Sequence, residues 1–105
     1  MIVAILQHFV KPGMVEVAEG RINANGDRMA NMAGFLFRHV LVAFKDPHKI
    51  VTLTAWESLE HYEDSLRQQR GASPAVGVGF VEDSPYVRLD TELFTVQGPG
   101  TIPST

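Results

Sequence analysis

The chain of 105 residues contains no cysteine. That absence excludes disulfides, a thiolate nucleophile and any cysteine-held zinc or iron–sulfur centre. Concentrated positive charge is missing too: the net charge is −3, and the nine basic residues, among them Lys11, Arg38, Arg67 and Arg88, are scattered rather than gathered into a stripe. Nucleic acid is therefore not an expected partner. No apolar run approaches the roughly 20 residues that span a bilayer, and residues 1–10 lack a basic leader and a small-residue cleavage site. The reading is a cytoplasmic protein with no membrane partner. Metal-ligand spacings such as H-x-H and H-E-x-x-H do not occur, so no metal site is expected. Gly77-Val78-Gly79 lacks the third glycine and the strand-to-helix setting of a dinucleotide fingerprint and reads instead as a lid, and there is no Gly-x-Ser-x-Gly elbow for hydrolysis.

What is present suits a small folded domain: 45% hydrophobic residues and 20% charged, in a chain of a length that buries roughly 60 to 70% of its unfolded surface. Residues 2–10 (IVAILQHFV) form a strand stopped by Lys11-Pro12-Gly13. From Met14 to Met32 the apolar residues fall near helical spacing, in a helix weakened by Gly20 and Gly26. Phe35 to Phe44 is a second strand, and Lys45-Asp46-Pro47-His48 connects it tightly to a third, Lys49 to Trp56. A second helix runs from Ser58, its expected N-cap, to Gln69, with Leu59, Tyr62 and Leu66 on one side. A glycine-containing loop from Gly71 to Pro85 precedes a fourth strand, Tyr86 to Val96. Residues 1–97 thus make one domain, and 98–105 a flexible tail.

The order β-α-β-β-α-β predicts an α+β, ferredoxin-like fold: a four-stranded antiparallel sheet with both helices on one face. Strands two and three carry apolar residues at both parities, whereas a sheet covered on one face alternates more cleanly. The side without helices must also be covered, and a second copy of the sheet is the expected cover, giving a homodimer. Within that pair a dry hollow is expected behind Trp56. Arg38 and His39 have opposite parity and cannot serve one site; Arg38 or Arg88 is expected to pair with acids across the dimer.

Val10-Lys11-Pro12-Gly13-Met14, Gly34-Phe35-Leu36, and Trp56-Glu57-Ser58 with Tyr62 six positions past the tryptophan together resemble the antibiotic biosynthesis monooxygenase family, whose members pair into dimeric α/β barrels. The likeness extends over about residues 2–96. It implies oxidation of an aromatic phenol or quinol by molecular oxygen with no cofactor, in a cavity lined by Trp56 and Tyr62. The family's substrate-donating asparagine, four residues before the tryptophan, corresponds to Thr52 here. In the heme-degrading branch of the fold the axial histidine would fall at Ala75, and no histidine follows His61, so that chemistry is the less favoured.

The expected site therefore comprises His39, Trp56 and Tyr62 as catalytic groups, with Thr52, Thr54 and His8 binding a small aromatic substrate. Thr52 and Thr54 share parity with Trp56 and should face the same side. His39 is the candidate base, because imidazole titrates near neutrality and a quinol must lose a proton before giving an electron to oxygen; His8 has a similar case. The alternative is a non-catalytic barrel that only sequesters a small apolar ligand.

Overall fold

A computed structural model of the chain describes residues 1–72 and 84–97. Ala75, the Gly77-Val78-Gly79 lid and the 98–105 tail lie outside the described residues. The elements are β1 (Ile2–Val10), α1 (Val15–Met29), β2 (Phe35–Ala43), β3 (Asp46–Trp56), α2 (Leu59–Ala72), β4 (Tyr86–Arg88) and β5 (Glu92–Thr95). The strands form one antiparallel sheet ordered β2-β3-β1-β4, with β5 pairing the other half of β1. The ferredoxin-like α+β fold stands as the sequence predicts. Among the described residues no helix is long and apolar enough to cross a membrane.

Alternation along β1 and β3 sorts the side chains. Ala4, Leu6 and His8 oppose Thr54, Thr52 and Ile50, so these even-numbered residues point to one side of the sheet. That side meets the helices. At one end Val10, Ile50 and Tyr86 pack with Ala18 and Ile22 of α1. At the other, Ala4 and Trp56 pack with Tyr62 of α2, flanked by Met29, Phe35 and Leu66. The core is thus two clusters, and the middle of β1 and β3 lies between them.

Local chemistry explains most boundaries. Ser58 caps α2, its Oγ accepting the His61 backbone N–H at 3.2 Å. In α1, Gly26 allows the Arg38 guanidinium to lie against the helix and donate to the Ile22 carbonyl at 3.4 Å, a contact that a methyl group at position 26 would block. Arg38 therefore ties β2 to α1 and is not held for an acid across a dimer. A bulge at Leu36 lets Phe35 turn inward onto Trp56, with ring centroids 5.4 Å apart, while Phe37 turns outward opposite Ala55.

Two predicted elements need correction. The β2–β3 turn is Phe44-Lys45, since Ala43 already pairs with Asp46. Pro47 is tolerated inside β3 because β1 pairs no further than Lys49, leaving residue 47 beyond that ladder. The fourth strand is broken in two. Against β1, His8 pairs Arg88 but Ile5 pairs Glu92, a slip of one residue that marks a bulge around Leu89-Asp90-Thr91.

Gly34 has φ +83° and sits against the His61 ring. Gly34→Ala adds a left-handed alanine and a methyl overlapping that ring, so a loss of about 2 kcal/mol or more is expected in urea unfolding. His61→Ala in the same chain should recover part of it, leaving the backbone strain.

Candidate functional site

Between the two core clusters the strands present short side chains to the helices, and a pocket opens there. Its floor is Ala4 and Leu6 of β1 with Thr52 and Thr54 of β3; its roof is Tyr62, Leu66 and Gln69 of α2. The roof residues follow a spacing of four and then three, one face of a helix. Met29 closes one side, and Arg88 and Thr91 border the β4 side. The volume is about 90 Å³, open on one side. A dry cavity that holds benzene is about 150 Å³, so an aromatic ring would fill this space only in part and extend through the mouth.

The bulge between β4 and β5 determines what reaches that border. Arg88, paired with His8, points to the helix side as Tyr86 does. One extra residue then intervenes before Leu93 resumes pairing with Ala4, and this places both Arg88 and Thr91 on the pocket. A continuous strand would keep only alternate residues on that side.

Of the predicted site residues, Thr52, Thr54 and Tyr62 line the pocket. Trp56 does not. It is fully buried behind the pocket, edge-on to Phe35 and Tyr62, and its indole Nε1–H donates to Thr54 Oγ1 at 3.0 Å. Its polar handle is thereby committed to the core, and it orients a pocket hydroxyl rather than lining the cavity. His39 lies on the other side of the sheet: it pairs with Leu53, is exposed, and sits beside Phe37 at 5.4 Å. The sheet separates it from Thr52 and Tyr62, so it cannot serve as their base. The pocket itself lies under the helices of one chain, not in a hollow between two sheets.

His8 faces the helices but is sealed in the neighbouring cluster. Nδ1 lies 3.2 Å from the Ile50 carbonyl, which fixes the neutral tautomer with its proton on Nδ1, and the ring meets Tyr86 edge-on. Burial lowers its pKa to about 4, against the raising effect of the Ile50 hydrogen bond and with a further lowering from the Arg88 cation. An imidazole so reluctant to take a proton is a poor base for a phenol. Burial also raises the Tyr86 phenol above its ordinary value, with Arg88 and Arg21 pulling the other way. Among the described residues, Arg88 is the positive charge that borders the pocket, and a charge there favours an anionic ligand oxygen.

Sequence reasoning missed Gln69 and Arg88. Gln69 was within reach, since it falls seven residues after Tyr62 on the same helical face. Arg88 was not, because its direction follows from pairing with β1. Among the described residues no three His, Asp or Glu side chains converge where an ion could sit.

An antiparallel sheet roofed by two helices, with a pocket edged by polar groups between the layers, defines a ferredoxin-like α+β domain. The chain belongs to the antibiotic biosynthesis monooxygenase family, whose model matches residues 1–70. Among solved structures it is similar to SnoaB, a cofactor-independent oxygenase from Streptomyces nogalater, at 17% identity over 98% of each chain with a TM-score of 0.75. An antibiotic biosynthesis monooxygenase matches at 14% identity over 93% of this chain and 100% of its own, TM-score 0.72. A conserved protein from Methanosarcina mazei Go1 matches at 14% identity over 89% of each chain, TM-score 0.68. At such identities these likenesses speak to the fold. A search of curated proteins by sequence found no match.

Protonation of His8 gives the core cluster beside the pocket a measurable signature. The folded pKa lies near 4, below the ordinary histidine value of 6.5, so below pH 6.5 the unfolded chain binds a proton that the folded one refuses. The stability His8 allows is complete above pH 6.5 and falls away toward pH 4, by at most about 3 kcal/mol. Urea midpoints measured from pH 7.5 to 4 should drop across that window, and His8→Gln should flatten the drop relative to the parent protein.

Proposed function

We propose that the protein is a monooxygenase that oxidises an aromatic phenol or quinol with molecular oxygen and needs no cofactor. The observation that carries this reading is Arg88, a cation, at the border of a pocket otherwise lined by uncharged residues. Ala4, Leu6 and Leu66 would hold the ring away from water, and in such a setting a guanidinium stabilises a phenolate strongly. Ionisation is the step that matters, because the anion gives up an electron to oxygen far more readily than the neutral phenol. The resulting radical and superoxide combine to form a carbon–oxygen bond. The peroxide anion so formed takes the proton released on ionisation, and the hydroperoxide loses water together with the hydrogen of the same ring carbon, leaving a carbonyl there; all four electrons that reduce oxygen come from the substrate. Tyr62, Thr52 and Thr54 would orient the anion by hydrogen bonding. Family membership and the likeness to SnoaB, a cofactor-independent oxygenase, agree with this chemistry.

A second reading, sequestration of a small ligand without turnover, is favoured by the burial of Trp56, whose N–H is already engaged by Thr54. Oxygen uptake with menadiol and an anthrone-type substrate, corrected for autoxidation, separates the two. The expected result is protein-dependent uptake that falls about 100-fold in Arg88→Leu and recovers as pH rises and the substrate ionises in solution. Binding without uptake in the parent protein would leave only the sequestering role.

We further infer that the open side of the sheet is covered by a second copy, making a homodimer. Phe9, Phe37 and Leu41 are 40%, 40% and 51% exposed there, beside the half-buried Val3, Ile5 and Leu53, and a continuous apolar face of this kind calls for a partner. Sedimentation equilibrium should give a dimer, and Phe37→Lys with Leu41→Lys a monomer. A monomeric parent protein would contradict this assembly but not the pocket, which one chain completes.

A further inference from the structure

The single tryptophan of the chain is sealed in the core, yet one hydrogen bond connects it to the pocket. Trp56 is fully buried and meets Phe35 and Tyr62 edge-on, with centroids 5.4 and 6.3 Å away and interplanar angles of 84° and 66°. Two rings set so steeply against it hold the indole plane in place, and with it the direction of the N–H. That N–H reaches Thr54 Oγ1 at 3.0 Å. Thr54 is itself only 6% exposed, and it lines the pocket floor.

The bond has a direction. An indole nitrogen only donates, so Thr54 accepts here, and the hydroxyl's own proton is left to be given elsewhere. A threonine side chain has more than one staggered rotamer open to it, and the indole bond selects among them. A hydroxyl that accepts one hydrogen bond is also polarised into a stronger donor of the next. The two hydroxyls of the floor are therefore unequal: Thr52 shares the pocket with Thr54, but the indole bond goes to Thr54. We propose that Trp56 is a positioning residue that sets Thr54 as a hydrogen-bond donor to the ligand oxygen, so that indole and hydroxyl act as one relay favouring the ionised form of the ligand. This rests on the pocket assigned under Proposed function, and it needs no contact between Trp56 and the ligand.

The probe for the test is 4-nitrophenol, whose neutral and ionised forms absorb differently, so that titrations at a pH on either side of its ionisation give the affinity of each form. The parent protein should prefer the phenolate. Thr54→Val, which removes the hydroxyl and keeps the branching, should cut that preference about tenfold or more, while Thr54→Ser should keep most of it. Biosynthetic replacement of the tryptophan by benzothienylalanine puts sulfur where the indole N–H stands and leaves the ring shape nearly unchanged. It should cut the preference about two- to threefold, and the same replacement in Thr54→Val should cut it no further. Thr54→Val alone leaves a buried N–H unpaired and loses stability, whereas combining it with the analogue relieves that loss, which keeps a folded reference in the cycle. A tryptophan that acts by packing alone has the same effect with and without the hydroxyl. A preference unchanged by the analogue, an equal loss in both backgrounds, or equal affinity of the parent protein for the two forms would overturn the relay. The readout is independent of turnover: a hydroxyl-dependent loss without oxygen uptake supports the relay and removes the monooxygenase, and oxygen uptake with no such loss does the reverse. A parent protein that binds neither form would overturn both.

Discussion

Everything that distinguishes the two sides of this sheet follows from the antiparallel register of β1 against β3, in which Ala4, Leu6 and His8 face Thr54, Thr52 and Ile50. A strand has a side-chain period of two, so this pairing sends one set of residues under the helices and the other to the open side. A shift of one residue would exchange the pocket floor for Ile5, Val51 and Leu53. The location of the pocket is a consequence of that register, and the separation of His39 from Tyr62 follows from the pairing of His39 with Leu53 of β3.

The same alternation explains why there is a pocket at all. Ile50 and Trp56 are the large inward residues of β3, and each anchors one of the two core clusters. Between them stand Thr52 and Thr54, too short to fill the gap under α2. Packing is dense where side chains are large and gives way where they are small. Trp56 reinforces the arrangement, since its N–H bond to Thr54 positions that hydroxyl from behind. The bulge between β4 and β5 then brings a cation to the edge of the space that the threonines leave. An apolar wall, a set of hydroxyls and a cation, drawn from four separate stretches of chain, meet at this pocket.

Much of this was legible in the residues themselves. The Lys11-Pro12-Gly13 turn, the glycine before Phe35 and the Ser58 cap each place an element boundary through local chemistry: β1 ends, and β2 and α2 begin, within a residue of where that chemistry puts them. Thr52 and Thr54 were readable as partners because parity along one strand needs no tertiary information. The direction of His39 was not readable, since β2 is apolar at both parities and only its pairing with Leu53 decides which one faces the helices. Trp56 was misjudged for a related reason: a residue at a strand-to-helix corner can face a ligand or the core, and packing between Phe35 and Tyr62 settles it. The bulge that directs Arg88 arises from two short strands sharing β1, a long-range constraint with no local sequence mark.

The most direct test of the account is methyl nuclear magnetic resonance on the protein with selectively labelled Ala, Ile, Leu, Val and Thr, titrated anaerobically with naphthalene-1,4-diol. The parity argument predicts that Ala4, Leu6, Thr52, Thr54 and Leu66 shift with the ligand while Val3, Ile5, Val51 and Leu53 stay in place. Shifts concentrated on Val3, Ile5, Val51 and Leu53 would put the ligand on the open side of the sheet and contradict the site.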